Sequence, residues 1–399
     1  MAGGGCDVQR EGDRVTAPAR FLGDLAGLWR LHDRPFLRGL TWDWWWWLVM
    51  LDDDEGRPSG RQLMTLWSTK DAPLVEVNGE AWRPQGRPGL DEHGGMSLDG
   101  MVCAWWFDGT RMHDAMLAER CSMVVMPASH PSWPESSGRA LPGAGAVVPL
   151  LDNDLSMGLV EDTSAFWLTL DRMPAGAPFS SLELTMRPSS ERLSTARQAT
   201  ATYAAGMGYD ILRLHGTSAE GRIDGTAVTG TAYFQKVKVQ APSVPWYWGV
   251  LHFSDGSYLD WFLPHLAPTV TNLDARPWRR RDHGHLALSE GGLLHDADRD
   301  HTERFARVEV GKADEGGLPV FSVKMRNGRV RVELVVAALG RAHWTFDQPT
   351  RAGLRSHLTY NEYPLEVRHL RLEDERGVRT ERDFAWVRGN AEHAWGLLH

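Results

Sequence analysis

Four tryptophans in a row, Trp44 to Trp47, stand inside the run Thr41 to Leu51. Bulky aromatic and β-branched residues suit a pleated surface, and successive residues of a strand point to opposite faces. Trp42, Trp44 and Trp46 therefore share one face, while Asp43, Trp45 and Trp47 share the other. An acidic turn, Asp52 to Arg57, and a second run from Gln62 to Trp67 complete a hairpin. About 200 residues later the pattern returns: Trp246 to Phe253, a Ser-Asp-Gly-Ser turn at Ser254 to Ser257, then Tyr258 to Phe262. Two such units imply a duplicated all-β architecture.

Further strand-like runs fill the chain, among them Leu74 to Val77, Met101 to Phe107, Ala165 to Leu170, Ala227 to Val239, Val320 to Met325, Val330 to Ala338 and Val367 to Leu372. Gly, Pro, Asn or Asp clusters separate most of them, as in antiparallel sandwiches and barrels. Short helices are expected near Phe21 to His32, Arg111 to Arg120, Arg192 to Ala205 and His301 to Val308. A polar, Ala/Thr-rich segment from Arg192 to Gly208 precedes the second series of strands. It sets a domain boundary near residue 205, giving units of 1–205 and 206–399.

The composition excludes several classes. With 42% apolar and 24% charged residues over 399 positions, the chain has the balance of a globular protein. A net charge of −9 and a single basic cluster, Arg276 to Arg281, argue against nucleic acid as partner. No run is long enough for a membrane helix, and the N-terminus lacks a signal-type apolar segment, so a cytoplasmic location is expected. Cys6, Cys103 and Cys121 are odd in number and fit reduced thiols. His283, His285 and His295 invite a zinc reading and Asp296, Asp298 and Asp300 a calcium one. The calcium pattern fails where His301 replaces the required Gly and Arg307 the bidentate Glu, and a solvated loop without metal is expected. Phosphate-loop, dinucleotide, nucleophile-elbow and zincin motifs are absent, and no cofactor is expected.

Tryptophan dominates the aromatic residues, 19 against 12 Phe and 7 Tyr. Each indole brings a large apolar surface and an N–H that needs a partner. Two readings compete: a Trp-heavy packed core, and an aromatic-lined cavity for an apolar ligand. The aromatics Trp42, Trp44, Trp46, Trp105, Tyr233, Trp246 and Trp248, with His252, are the candidate ligand contacts.

At these residues the chain resembles the carotenoid 1,2-hydratase (hydroxyneurosporene synthase) family, which is built as two lipocalin-like β-barrels. That family places an acidic residue before aromatics on a strand, then an acidic turn. Asp43-Trp44-Trp45-Trp46 and Asp54-Glu55-Gly56-Arg57 are similar to this arrangement. The order continues through Gly230 to Gln235, Pro245-Trp246-Tyr247-Trp248 and Asp255-Gly256, and more weakly through Gly389 to Gly396. Two carboxylates of the family pattern are missing, replaced by Gln235 and Tyr247. The resemblance implies two antiparallel lipocalin-like barrels in tandem, and cofactor-free hydration, isomerisation or cyclisation of an apolar isoprenoid, polyene or polyketide. A noncatalytic carrier on the same fold, or a carbohydrate-binding sandwich with exposed Trp platforms, are the alternatives.

Protonating an isolated alkene needs a carboxylic acid kept neutral by an apolar pocket, with π-faces to stabilise the cation. Asp43 among its tryptophans and Glu392 near the C-terminus are the candidate acids, since Gln235 and Tyr247 can only orient a ligand. Because adjacent strand residues diverge, only one of Glu392 and His393 can reach a given cavity.

Overall fold

The computed structural model describes residues 19–31, 39–84, 89–127, 143–190, 193–203, 206–241, 244–266, 286–349 and 353–398. Strands dominate, and all their pairings in two separate sheets are antiparallel. The Trp-rich run forms the strand Thr41–Asp52, which pairs with Pro58–Asp71 on one side and Thr226–Gln240 on the other. In the turn between the first two, the Asp53 carboxylate accepts from the backbone N–H of Glu55 and Arg57, both at 2.9 Å, and Gly56 takes a positive φ of 73°.

The first sheet closes. From Ser181–Pro188 it runs through Phe166–Asp171, Met157–Val160, Gly143–Pro149, Leu117–Pro127, Met96–Asp108, Pro58–Asp71, Thr41–Asp52 and Thr226–Gln240 to Gly208–Ile223, which pairs back onto Ser181–Pro188. Side chains from all ten strands fill the interior, Trp45, Trp47 and Trp67 among them, so this barrel has a packed core. Two of the indole N–H groups there find backbone acceptors: Trp45 donates to the Leu28 carbonyl and Trp67 to that of Leu155, each at 2.7 Å.

The second sheet runs from His301–Phe305 through Gly291–Asp296, Tyr258–Leu266, Trp246–Phe253, Val387–Leu398, Arg355–Asp374, Arg331–Ala338 and Leu318–Arg326 to Val308–Glu315. It wraps around its own core, which includes Tyr247, Trp261, Phe321 and Tyr363. Gly249 is required there, because a Cβ would meet the Trp261 ring at 2.0 Å. The all-β architecture is thus a closed ten-strand antiparallel barrel joined to a second antiparallel sheet.

The halves interlock. Sheet membership changes between Gln240 and Trp246, whereas the boundary expected near residue 205 falls among strands of the first sheet. In return, the hairpin Val75–Val77 and Glu80–Trp82 leaves the N-terminal half and pairs with Ala342–Pro349, an outer strand of the second sheet. A third apolar cluster lies between the two sheets. It takes Trp42, Trp46 and Trp105 from one and Trp248, Trp344 and Phe346 from the other.

Helix is scarcer than expected. Leu25–Trp29 is a short 3-10 turn capped by Asp24, and Glu381–Asp383 is another. The helices expected over Arg111 to Arg120, Arg192 to Ala205 and His301 to Val308 are replaced by Leu117–Pro127, Arg197–Thr202 and His301–Phe305, all strands. In Arg197–Thr202 exposure alternates residue by residue, a two-residue period that its alanine content hid. No helix among the described residues is long and apolar enough to cross a membrane.

Candidate functional site

A cleft of about 1200 Å³, counting its open mouth, lies between the two sheets. Trp42 and Trp44 of the first sheet face Trp246, Trp248 and Phe262 of the second across it, with Phe346, Leu358 and Tyr360 along another wall. Strand alternation explains the choice of side chains, since odd-numbered neighbours Trp45 and Trp47 turn into the first barrel. Rings meet edge to face: Trp42 on Trp44 at 5.6 Å between centroids and Trp42 on Phe346 at 4.6 Å.

Of the residues singled out in the sequence, Trp42, Trp44, Gln235, Trp246, Trp248 and Glu392 line this cleft. Trp46, Tyr233 and Trp105 stand one layer behind it. Trp46 packs edge-on against Trp248 at 5.3 Å, and Trp105 against Trp344 at the same distance. The buried Tyr233 hydroxyl donates to Gln235 Oε1 at 3.3 Å and so fixes the amide that reaches the cleft.

Three candidates are placed elsewhere. Asp43 turns into the first barrel, where its carboxylate receives the Lys236 ammonium at 2.7 Å; that Lys lies 3.9 Å from the centre of the Trp45 ring. Asp43 thus serves a buried ion pair and does not line the cleft. Tyr247 faces the core of the second sheet, stacked between His265 at 5.0 Å and His393 at 4.3 Å. His252 is a packed histidine between the sheets: Nδ1 is 2.8 Å from the Thr231 hydroxyl and Nε2 3.2 Å from the His215 carbonyl. Burial pushes its pKa down to about 3, so the ring is neutral.

Around Glu392 the cleft holds its densest chemistry. Glu392 and Glu362 are direct cross-strand partners between Val387–Leu398 and Arg355–Asp374. Glu362 is fully buried and Glu392 nearly so. Trp246 Nε1 donates to Glu392 Oε2 at 2.7 Å. The Tyr360 hydroxyl donates to Glu362 Oε1, and its oxygen is 3.2 Å from Glu392 Oε1. Burial raises both carboxyls, with the neighbouring carboxylate adding to the effect at Glu362. Glu392 is pushed up to about 7, held from rising further by Trp246, Tyr360 and the hydrogen bond to Glu362. Two carboxyls this close do not both ionise at neutral pH; they retain a proton between them. Glu362 and Tyr360 were not anticipated: the relevant signal, alternation of Leu358, Tyr360 and Glu362 onto one face, lies in a strand recognised only from Val367 onward.

Beside the cleft a second polar cluster joins the sheets. Asp260 receives the Tyr258 hydroxyl at 2.8 Å, with His215 Nε2 at 3.3 Å and Arg213 Nη1 at 3.7 Å. Burial works against the Asp260 charge, but His215 and Arg213 hold the pKa below the ordinary value. The Arg213 guanidinium also stacks 5.2 Å from the centre of the Phe262 ring on the cleft wall.

The His- and Asp-rich segment, expected as a solvated loop without metal, divides. His283 and His285 lie outside the described residues. His295 Nδ1 is 3.2 Å from the Thr302 hydroxyl, and Asp296 is paired with Arg379 at 2.8 Å and Arg299 at 3.6 Å. Among the described residues no group of three or more His, Cys, Asp or Glu is arranged to hold a metal.

Neither a protein-family model nor a curated protein sequence matches the chain. Solved structures with a similar arrangement include an AttH-type protein of Nitrosomonas europaea, 13% identical with a TM-score of 0.48, the match covering 91% of this chain and 97% of that one. Kievitone hydratase of Nectria haematococca is similar at 10% identity and a TM-score of 0.41, covering 95% of this chain and 98% of its own.

Proposed function

We propose that the protein is an acid catalyst for an apolar unsaturated small molecule, bound in the inter-sheet cleft and protonated by Glu392. The observation that carries this reading is the buried Glu362–Tyr360–Glu392 group opening onto an aromatic wall. Glu392 faces the ligand and donates the proton. Glu362, held neutral behind it, resupplies that proton through the carboxyl contact and the Tyr360 hydroxyl. Trp246, Trp248 and Trp42 present π-faces to the developing cation, each contact worth roughly 0.5–2 kcal/mol. Gln235, held by Tyr233, orients the ligand or an attacking water. Capture of the cation by water gives hydration, by an internal double bond or hydroxyl cyclisation, and loss of a different proton isomerisation. No step requires a cofactor.

The test is incubation of the protein with isoprenoid, polyene and polyketide ligands that quench its tryptophan fluorescence, followed by chromatography and mass spectrometry. Expected are products either heavier by one water or unchanged in mass with altered retention, formed about 10²–10⁴ times more slowly by Glu392→Gln. Recovery of bound ligand unchanged after long incubation would convert the reading to a noncatalytic carrier. Quenching by sugars alone would eliminate both.

A further inference from the structure

The chain has only five lysines among its 43 basic residues. Where arginine is the usual cation, a lysine inside the molecule supplies what arginine cannot, an amine able to release its proton. Lys236 is accounted for by Asp43. Lys70 is different. It lies opposite Trp42 on the neighbouring strand, lines the cleft, and is only 7% exposed. Its Nζ is 4.1 Å from the centre of the Trp42 ring. Among the described residues it has neither a hydrogen-bond nor an ion-pair partner. Phe346, Gln348 and Ser356 continue the wall beside it, and the Gln348 Oε1 is itself buried without a partner.

A buried ammonium with no counter-charge is unfavourable, and the side chain relieves this by losing its proton. Burial alone pushes Lys70 down to about 7, so at neutral pH a large share of it is free amine, against roughly 10⁻³ of an ordinary lysine. The titratable groups facing the same cleft are Tyr203, Tyr209, Tyr360 and Glu392, of which Glu392 is the single carboxyl among the described residues. One amine and one acid thus share an aromatic cleft.

We propose that Lys70 is a covalent attachment site for an apolar aldehyde or ketone, forming a Schiff base in the cleft. The Nζ lone pair adds to the carbonyl carbon, and the carbonyl oxygen gains a proton to give a carbinolamine. The oxygen then leaves as water after a second protonation, and the nitrogen loses its protons as C=N replaces C=O. Nothing is oxidised or reduced. Glu392, retaining a proton at neutral pH, is the group in the cleft suited to assist the departure of water. This assignment rests on the cleft being the ligand site and names the class of ligand, a carbonyl compound.

The experiment uses the full chain with naphthaldehyde and cyanoborohydride at neutral pH, which reduces any imine to a stable amine, followed by peptide mapping. Lys70 is expected to be labelled at least about tenfold faster than the exposed Lys324, with a rate that changes little into mildly alkaline pH while that of Lys324 climbs. Lys70→Met, which keeps the packing of the stem, abolishes that adduct and leaves Lys324 labelling unchanged; Lys70→Arg is the second variant. In parallel, naphthalene, which has no carbonyl, reports on the cleft by quenching tryptophan fluorescence. Quenching by naphthalene with Lys70 labelled no faster than Lys324 overturns the Schiff base and leaves the cleft reading standing. Absence of quenching in wild type and variant alike overturns the cleft reading itself.

Discussion

Glu362 and Glu392 sit directly opposite each other on neighbouring antiparallel strands, with the Tyr360 hydroxyl bonded to one and within reach of the other. Like charges directly opposite on a sheet are destabilising, and burial makes the repulsion worse. A structure that keeps this pair must keep a proton on it.

Catalysis should therefore decline as pH rises through about 7, where the Glu392 proton is lost. A pH–rate profile of kcat/KM on whichever ligand turns over checks this. Glu392→Gln is expected to lower the rate about 10²–10⁴-fold, and Glu362→Leu, which removes the hydrogen bond holding the Glu392 pKa down, to shift the falling limb to higher pH while leaving the donor in place.

Stability should respond to the same pair with a definite sign. The Glu392 pKa is raised on folding, so between the unfolded carboxyl value near about 4.5 and about 7 the native state binds more protons, and its stability falls as pH rises. Lys70 does the reverse. Its pKa is lowered from 10.5 to about 7, so the unfolded chain binds more protons above that pH and stability rises. Urea melts across pH should show the wild type losing stability relative to Glu392→Gln on the way up to about 7. Lys70→Met should be more stable than wild type at neutral pH by a few kcal/mol, about what a shift of this size is worth, with the difference shrinking toward pH ~10.

Asp43→Asn should unfold rather than inactivate. It removes the counter-charge of Lys236 inside the first barrel, where the amine must then lose its proton or stay charged in an apolar surrounding; breaking one side of a buried pair typically costs about 3–5 kcal/mol. Thermal melting of Asp43→Asn against the double replacement Asp43→Leu with Lys236→Met separates the lost partner from the lost pair: the double variant is expected to recover most of the stability.

A fragment ending at residue 205 should not fold, because Thr41–Asp52 loses its partner Thr226–Gln240 and the barrel loses its closing strand Gly208–Ile223. Circular dichroism and proteolysis of fragments 1–205 and 1–241 compare the two divisions. The longer one is expected to hold more β-structure.

Much of the architecture was legible because alternation and turn chemistry are local. The hairpins at Trp42 and Trp246, and the division of Trp42 and Trp44 from Asp43 and Trp45 onto opposite faces, follow from a period of two. What stayed hidden depends on which sheet a strand joins. Nothing local told that Gly208–Gln240 belongs with the first sheet, or that the face of Trp42 meets a second sheet rather than a barrel lumen. The acid Glu392 could be named because its segment resembled a known pattern. Its partner Glu362, 30 positions earlier in sequence, becomes visible only through strand register. Asp43 was misleading for a physical reason: a carboxylate among tryptophans has its charge balanced by Lys236, a residue 193 positions away.

The hairpin Val75–Trp82, lent by the N-terminal half to the far edge of the second sheet, has a bearing on how the chain is made. During synthesis this arm emerges more than 250 residues before the strand that receives it, Ala342–Pro349, and until then its backbone donors and acceptors have no sheet to join. The arm's docking site is complete only once Ala342–Pro349 and its neighbour Arg355–Asp374 have been made. Docking of the arm therefore clasps the two halves together over the cleft wall that carries Phe346. A second chain offering the same arm at that moment would compete for the slot, so arm exchange between nascent neighbours is the misassembly to which this topology is exposed.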